Sequence, residues 1–219
     1  MSTRGTRGGS GRRGTQARTR LARAAVVDAA RRLFLERGYG ATTIEAISGL
    51  ADVPPATVYR LFSSKHGILK ALLDQTIVGD DEAVALADRP QVRTLLAERD
   101  PARQLAGFVA LSVQVNAAVA PLYRVLVSAA GNDPDAGALL DTLTRQRRQG
   151  QRLIARALAR QGALRPGLRE RDAADLVHAL LSPELYRLLV VDRGWTTERF
   201  QAWLTDTLTQ QLLASPSPS

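Results

Sequence analysis

The stretch ADVPPATVYRLFSSKHGILKALL, residues 51–73, decides how this chain is read. Two successive prolines precede a Thr-Val-Tyr-Arg-Leu-Phe run, and a Ser-Ser-Lys step leads into a fresh apolar run. Pro55 pushes Pro54 out of the α region, so Pro54 cannot lie within a helix. Pro55 itself suits a first helical turn, where its missing N–H is no loss. The spacing therefore predicts a helix that starts sharply at Pro55 and runs to about Phe62, with Val58, Leu61 and Phe62 on its buried side. Ser63 is expected to cap a further helix, whose apolar positions Ile68, Leu69, Leu72, Leu73 and Ile77 recur at helical spacing.

Working outward toward the N-terminus, Thr42-Thr43-Ile44-Glu45 predicts a capping box, with Thr42 as cap and Glu45 reaching back. The short helix it opens should carry Ile44, Ile47 and Leu50 inward. Before it, Leu21, Ala25/Val26, Ala29/Ala30 and Leu33/Phe34 recur at helical spacing from Thr19 to Arg37, and Gly38 with Gly40 ends the run. Short helices meeting across a tight turn make a helix-turn-helix module. Residues 1–17, MSTRGTRGGSGRRGTQA, offer almost nothing to bury and predict a disordered arm.

Beyond residue 80 the pattern stays helical, and the expected fold class is all-α. Helices are placed near 101–119, 122–130, 135–161, 170–192 and 196–213. They are punctuated by Pro121, Gly131-Asn132-Asp133-Pro134, Gly162, Arg165-Pro166-Gly167 and Gly194. Pro183 should kink or break the 170–192 segment. The expected organisation is an arm over 1–17, a helix-turn-helix domain over 18–66, a helical domain over 67–214 and a loose tail over 215–219.

The net charge of +9 is unevenly distributed. Residues 1–70 hold 13 Arg and Lys against 4 Asp and Glu, whereas residues 71–219 hold 17 of each sign. A basic segment joined to a neutral body is the footprint of a polyanion-binding module, because neutralising phosphates needs cations gathered on one part of the surface. A solvated basic face with a basic tail is the blander alternative. The chain has no cysteine, which excludes a disulfide framework, a Cys-ligated metal and a thiol nucleophile. No apolar leader and no run of eighteen consecutive apolar residues occurs, so a cytoplasmic protein without membrane attachment is expected. The two histidines, His66 and His178, lie far apart, and no glycine-rich phosphate loop follows a strand signal. Neither an enzyme nor a cofactor site is supported.

From Val26 to Leu73 the pattern Val-Val-x-Ala-Ala-x-x-Leu-Phe, Gly38-Tyr39, Thr42-Thr43, Thr57-Val58-Tyr59, Phe62 and Ser64-Lys65 resembles the N-terminal DNA-binding domain of TetR-family transcriptional regulators. Such a module needs a helix whose outward residues can enter a major groove about 12 Å wide. Here the outward set is Pro55, Ala56, Thr57, Tyr59 and Arg60. Pro55, Ala56 and the Thr57 methyl suit thymine methyl groups, and the Thr57 hydroxyl and the Arg60 fork suit base edges. The resemblance implies phosphate contacts for Thr43, Tyr59 and Lys65. Against this, Tyr59 can be read as a core aromatic and Lys65 as a solvated charge. The chain departs from the family pattern at four places. Asp52 replaces a turn glycine, Pro54 a capping serine, Ala56 a glycine and Leu61 a histidine, which puts one phosphate contact in doubt. The arginines of the arm, Arg4, Arg7, Arg12, Arg13, Arg18 and Arg20, read equally as a DNA contact or as a solubilising tail.

In the second domain, Phe108, Ser112 and Asn116 share one helix face, as an orienting pair of polar groups in an apolar ligand pocket would. A helix packed around a buried carbonyl or water looks the same. Tyr123 and His178 are further candidates for ligand contact, although a lone histidine is more often a satisfied core residue. By resemblance, the apolar stripes carrying Leu176, Leu180, Leu188, Phe200, Trp203, Leu204 and Leu208 pair with a second copy as a four-helix interface. Intramolecular core is the competing reading. The resemblance implies a homodimeric repressor of a near-palindromic double-stranded DNA operator, released by a small-molecule effector. An effector-independent or activating regulator and a sequence-nonspecific nucleic-acid binder remain the alternatives.

Overall fold

The computed structural model describes residues 9–78 and 90–214. The tail over 215–219 and residues 1–8 of the expected arm lie outside the described residues. The chain divides into two compact units, 1–74 and 75–219.

The first unit holds α1 (Gly9–Arg37), α2 (Ile44–Ala51), α3 (Pro55–Phe62) and α4 (Lys65–Val78), the last of which runs across the division. Where composition predicts a disordered arm, α1 is already helical from Gly9. Once Val26, Ala29, Ala30, Leu33 and Phe34 anchor the helix in the core, extending it backward costs no new nucleation, and arginine is a good helix former. The α1 helix ends at Gly38, whose φ of 77° only glycine adopts without strain. Ile44, Ile47, Val58, Phe62, Ile68, Leu69, Leu72 and Leu73 complete the buried set. Leu50 is 43% exposed rather than inward, because the inward face of α2 runs through Ile44, Ile47 and Ser48, at i, i+3 and i+4, and Leu50 lies off it. The unit boundary falls after Asp74, later than the expected 66, because the first two turns of α4 supply this core.

The second unit holds α5 (Pro90–Leu96), α6 (Pro101–Ala130), α7 (Pro134–Arg160), α8 (Glu170–Leu180), α9 (Pro183–Tyr186), a π-helical turn (Arg187–Asp192) and α10 (Thr197–Leu212). The only bridge between extended residues among those described pairs Leu164 with Leu213. Asp100 and Asp133 cap α6 and α7 through hydrogen bonds from the backbone N–H groups of Ala102, Arg103, Asp135 and Ala136, and each is followed by proline at the first helical position. Pro121 does not divide α6. The backbone bond it removes would have gone to Ala117, which is exposed and can use water instead. Pro183 does break its segment, and Ser182 caps the helix that restarts there by accepting from Leu185 N–H at 3.2 Å. Short helix α5 has no counterpart among the expected elements. Fully buried Gln104 secures it by donating to the carbonyls of Leu95, Leu96 and Glu98.

The core of this unit gathers Leu105, Val109 and Val113 of α6, Ile154 and Leu158 of α7, Ala173 and Val177 of α8, and Phe200, Leu204 and Leu208 of α10. An 18-residue window of α6 reaches a mean hydropathy of 1.7, enough by length and composition to cross a bilayer, although no unbroken apolar run signals it. Its apolar face is spent on this core.

Candidate nucleic-acid interface

The turn between α2 and α3 is built from three residues. Asp52 adopts the left-handed conformation, φ 51° and ψ 43°, and its N–H returns to the Ser48 carbonyl. That conformation is least costly for Gly, Asn and Asp, so Asp fills the place of a turn glycine. Buried Ser48 then donates its hydroxyl to the Val53 carbonyl at 2.6 Å, closing the turn from inside. Pro54 stands at the cap position of α3 with no side-chain bond, and Pro55 takes the first helical position. The cost of the missing cap, about 1 kcal/mol, is offset in part because both prolines enter the turn with φ already fixed.

The cap of α2 differs from the expected capping box. Thr43 is the cap, accepting from Ala46 N–H at 3.1 Å. Thr42 is buried and donates to the Gly38 carbonyl at 2.8 Å. The register shifts by one because the αL residue Gly38 leaves a carbonyl that needs a buried donor, which Thr42 supplies. Ser63 likewise is not the cap of α4. It ends α3 with φ 64°, and Ser64 accepts from Gly67 N–H at 3.1 Å. Gly67 is required here, since a Cβ at that position would lie 2.0 Å from the Phe62 carbonyl oxygen.

Of the seven residues expected to meet DNA, Thr43, Pro55, Ala56, Tyr59 and Arg60 are exposed and Thr57 is half-buried. Tyr59 is 48% exposed, which favours an outward aromatic over a core one. Lys65 is half-buried, and its Nζ donates to the Tyr39 carbonyl at 2.8 Å and lies 4.2 Å from the Tyr39 ring centroid. It therefore ties the start of α4 to the α1–α2 turn, a role its position in the sequence does not disclose. Arg23, which spacing leaves unmarked, reaches the end of α3. Its Nη1 donates to the Leu61 carbonyl at 3.4 Å and its guanidinium stands 4.7 Å from the Phe62 ring centroid. A shallow open groove between α1 and α3 is lined by Thr15, Arg18, Thr19, Ala22, Thr57 and Arg60.

In the second unit, the candidate ligand contacts turn out to be largely engaged with each other's helices. Phe108 is core, and Ser112 is half-buried. Buried Asn116 donates Nδ2–H to the Leu181 carbonyl at 3.1 Å, at the end of α8. Tyr123 donates its hydroxyl to Glu184 Oε1 at 2.5 Å, and burial, then this bond, push the phenol above its usual range. Arg147 donates to the His178 carbonyl at 3.2 Å and faces His178 Nε2 at 3.4 Å. Since arginine can only donate, Nε2 is the acceptor and the proton sits on Nδ1, which meets Gln151 Oε1 at 2.7 Å. His178 is held neutral: burial lowers its pKa first, and the charges of Arg147 and Arg148 lower it further. Burial likewise lowers the pKa of Arg147.

Of the residues read as an interface, Phe200, Leu204 and Leu208 are completely buried in the unit's own core. That corrects the reading for these three, since they retain no surface for a partner. Leu176, Leu180 and Trp203 are half-buried, and Leu188 is 47% exposed.

The family model described as bacterial regulatory proteins, tetR family, matches residues 26–72. An uncharacterized HTH-type transcriptional regulator, YvkB of Bacillus subtilis, is 44% identical over 50 residues. That match covers 23% of this chain and spans about a quarter of the relative, 26% of its length. Among solved structures, NalD of Pseudomonas aeruginosa, described as the secondary repressor of the MexAB-OprM multidrug efflux pump, superposes with a TM-score of 0.68 at 23% identity, over 89% of this chain and 98% of that one. A TetR-family regulator from Syntrophomonas wolfei gives 0.69 at 20% identity, covering 86% and 93%. SmeT in complex with triclosan gives 0.66 at 17% identity, covering 90% and 99%. At these identities the structures establish a shared all-helical fold. The likeness to the tetR family of bacterial regulatory proteins is carried by residues 26–72.

Proposed function

We propose that the protein is a transcriptional regulator that binds a near-palindromic double-stranded operator as a homodimer, and that it is a repressor released by a small molecule. The observation that carries the DNA-binding part is α3. Its Val58 and Phe62 are locked in the core while Pro55, Ala56, Thr57, Tyr59 and Arg60 face outward, on the segment that holds the whole of the chain's net positive charge. A short rigid helix of this kind fits a major groove, with Thr57 and Arg60 reading base edges and Thr43, Tyr59 and Lys65 positioning the module on phosphates.

Two such helices in a symmetric dimer would enter successive major grooves about 34–36 Å apart. Exposed Leu188 and Val191, with half-buried Leu176, Leu180 and Trp203, form the apolar surface that a second copy would cover. The effector would act by binding one of two dimer shapes more tightly, since only differential affinity shifts the equilibrium. NalD, described as a repressor, and the SmeT–triclosan complex are consistent with that reading. One observation favours the alternative, a regulator without an effector. Asn116, Tyr123 and His178 all spend their polar groups on neighbouring helices.

The test is selection of bound fragments from random duplex DNA by the purified full chain, with and without a small-molecule library. A two-fold symmetric consensus whose recovery drops with some compound supports the full reading, and a consensus that no compound disturbs supports the effector-independent one. Recovery without sequence preference would sink both.

A further inference from the structure

We propose that residues 15–22 of α1 form a second wall of the DNA-binding face, and that the groove between α1 and α3 holds a phosphodiester of the duplex that α3 reads. The inference rests on the DNA-binding reading and adds a site to it. The groove is lined from α1 by Thr15, Arg18, Thr19 and Ala22 and from α3 by Thr57 and Arg60. Two guanidiniums therefore share one open depression that contains no carboxylate. Neither Arg18 nor Arg60 forms an ion pair among the described residues. A pair of unneutralised forks across a shallow polar groove is complementary to phosphate oxygens, which each fork can engage with two parallel N–H donors.

The donor inventory agrees with an anion. Thr19 is occupied, since its hydroxyl donates to the Thr15 carbonyl at 2.9 Å. The donors left for a ligand are the Arg18 and Arg60 forks and the Thr57 hydroxyl. Position follows from sharing a wall. Thr57 and Arg60 belong to the outward face of α3, so a duplex seated on that face passes over the groove. Rigidity follows from Arg23, whose contacts with the Leu61 carbonyl and the Phe62 ring fasten α1 to the end of α3. Arg18 lies five residues before Arg23 on the same helix and is held at a fixed distance from α3. Binding then costs none of the ordering entropy that a loose basic arm would lose.

The experiment compares Arg18→Ala with Arg20→Ala in the full chain, by anisotropy titrations of a selected operator duplex and a scrambled duplex at several salt concentrations. The two substitutions remove the same charge, but Arg20 sits about 200° around the helix from Arg18 and does not line the groove. Because a dimer carries two copies of the groove, Arg18→Ala should weaken binding roughly tenfold per protomer and reduce the slope of log affinity against log salt by about 2. The loss should be equal on both duplexes, because a phosphate carries no sequence. Arg20→Ala should leave the slope near that of the unaltered chain, and Arg18→Lys, which keeps charge without the fork, should keep that slope while its affinity falls between. Far-UV melts that match the unaltered chain exclude misfolding. An unchanged slope for Arg18→Ala, or an equal drop for Arg20→Ala, overturns the groove while leaving operator binding standing. Failure of the unaltered chain to bind either duplex overturns both.

Discussion

Replacing Asn116 separates the two readings of the α6 polar face more sharply than any other change. Its Nδ2–H is donated to the Leu181 carbonyl at 3.1 Å, and both residues are buried, at 5% and 1% exposure. Asn116→Leu keeps the number and branching of side-chain heavy atoms, with bulkier methyl groups, and removes the donor, leaving a buried carbonyl unpaired, at a cost of about 1–3 kcal/mol. Asn116→Ala adds the loss of packed side-chain atoms, about 1 kcal/mol more, for a total of about 3 kcal/mol. For a chain of this size that corresponds to roughly 6–12 °C in melting temperature. Scanning calorimetry of the unaltered protein, Asn116→Leu, Asn116→Ala and Ser112→Ala provides the assay. Ser112→Ala, at a half-buried position, should stay within about 0.5 kcal/mol of the unaltered chain. The expected order of stability places Asn116→Ala lowest. If both Asn116 variants melted with the unaltered protein while losing a compound's effect on DNA binding, Asn116 would be a ligand contact and the packing argument would be wrong.

Three further outcomes are expected. Gly67→Ala places a Cβ against the Phe62 carbonyl oxygen, so α3 and α4 must separate; a loss of about 3 kcal/mol, read by thermal denaturation, should accompany weaker DNA binding, and an unshifted melt would refute the close approach. His178 has a folded pKa below its unfolded value of about 6.5, so the unfolded chain takes up the proton first. Stability is then fully present above the unfolded pKa and declines as pH falls through that value toward the folded one. His178→Gln should shrink the difference between urea midpoints at about pH 7.5 and pH 5.5, and an undiminished difference would assign the effect to other groups. Leu188→Asp with Val191→Asp, at positions 47% and 55% exposed, should yield a folded monomer in sedimentation velocity with little change in single-chain stability, whereas a persistent dimer would place the interface elsewhere.

Local chemistry explains which features were legible before any coordinates. Adjacent prolines fix backbone angles by covalent geometry, so the start of α3 at Pro55 follows from two residues alone. The apolar spacing of Val58, Phe62, Ile68, Leu69, Leu72 and Leu73 likewise requires a buried helical face, and all six are buried. Caps were less legible. Thr42 and Thr43 are equivalent as residue types, and only the Gly38 carbonyl, placed by the αL turn after α1, selects Thr42 as a buried donor and leaves Thr43 to cap α2. Pro121 shows the opposite failure, in which a strong local breaker is overridden because α6 is packed along its length and the freed carbonyl lies toward water.

By itself, then, the sequence determined the all-helical class, the outward composition of α3 and the confinement of net charge to residues 1–70, because these depend on backbone restriction, periodicity and a count of ionised groups. Tertiary structure alone decided which of several equivalent polar and apolar residues are spent inside the protein. Asn116 is spent on Leu181, His178 on Gln151, Lys65 on Tyr39, and Phe200, Leu204 and Leu208 on the core of their own unit. A side chain's partner is set by which helix lies across from it, and that distance is fixed only when all the faces pack at once.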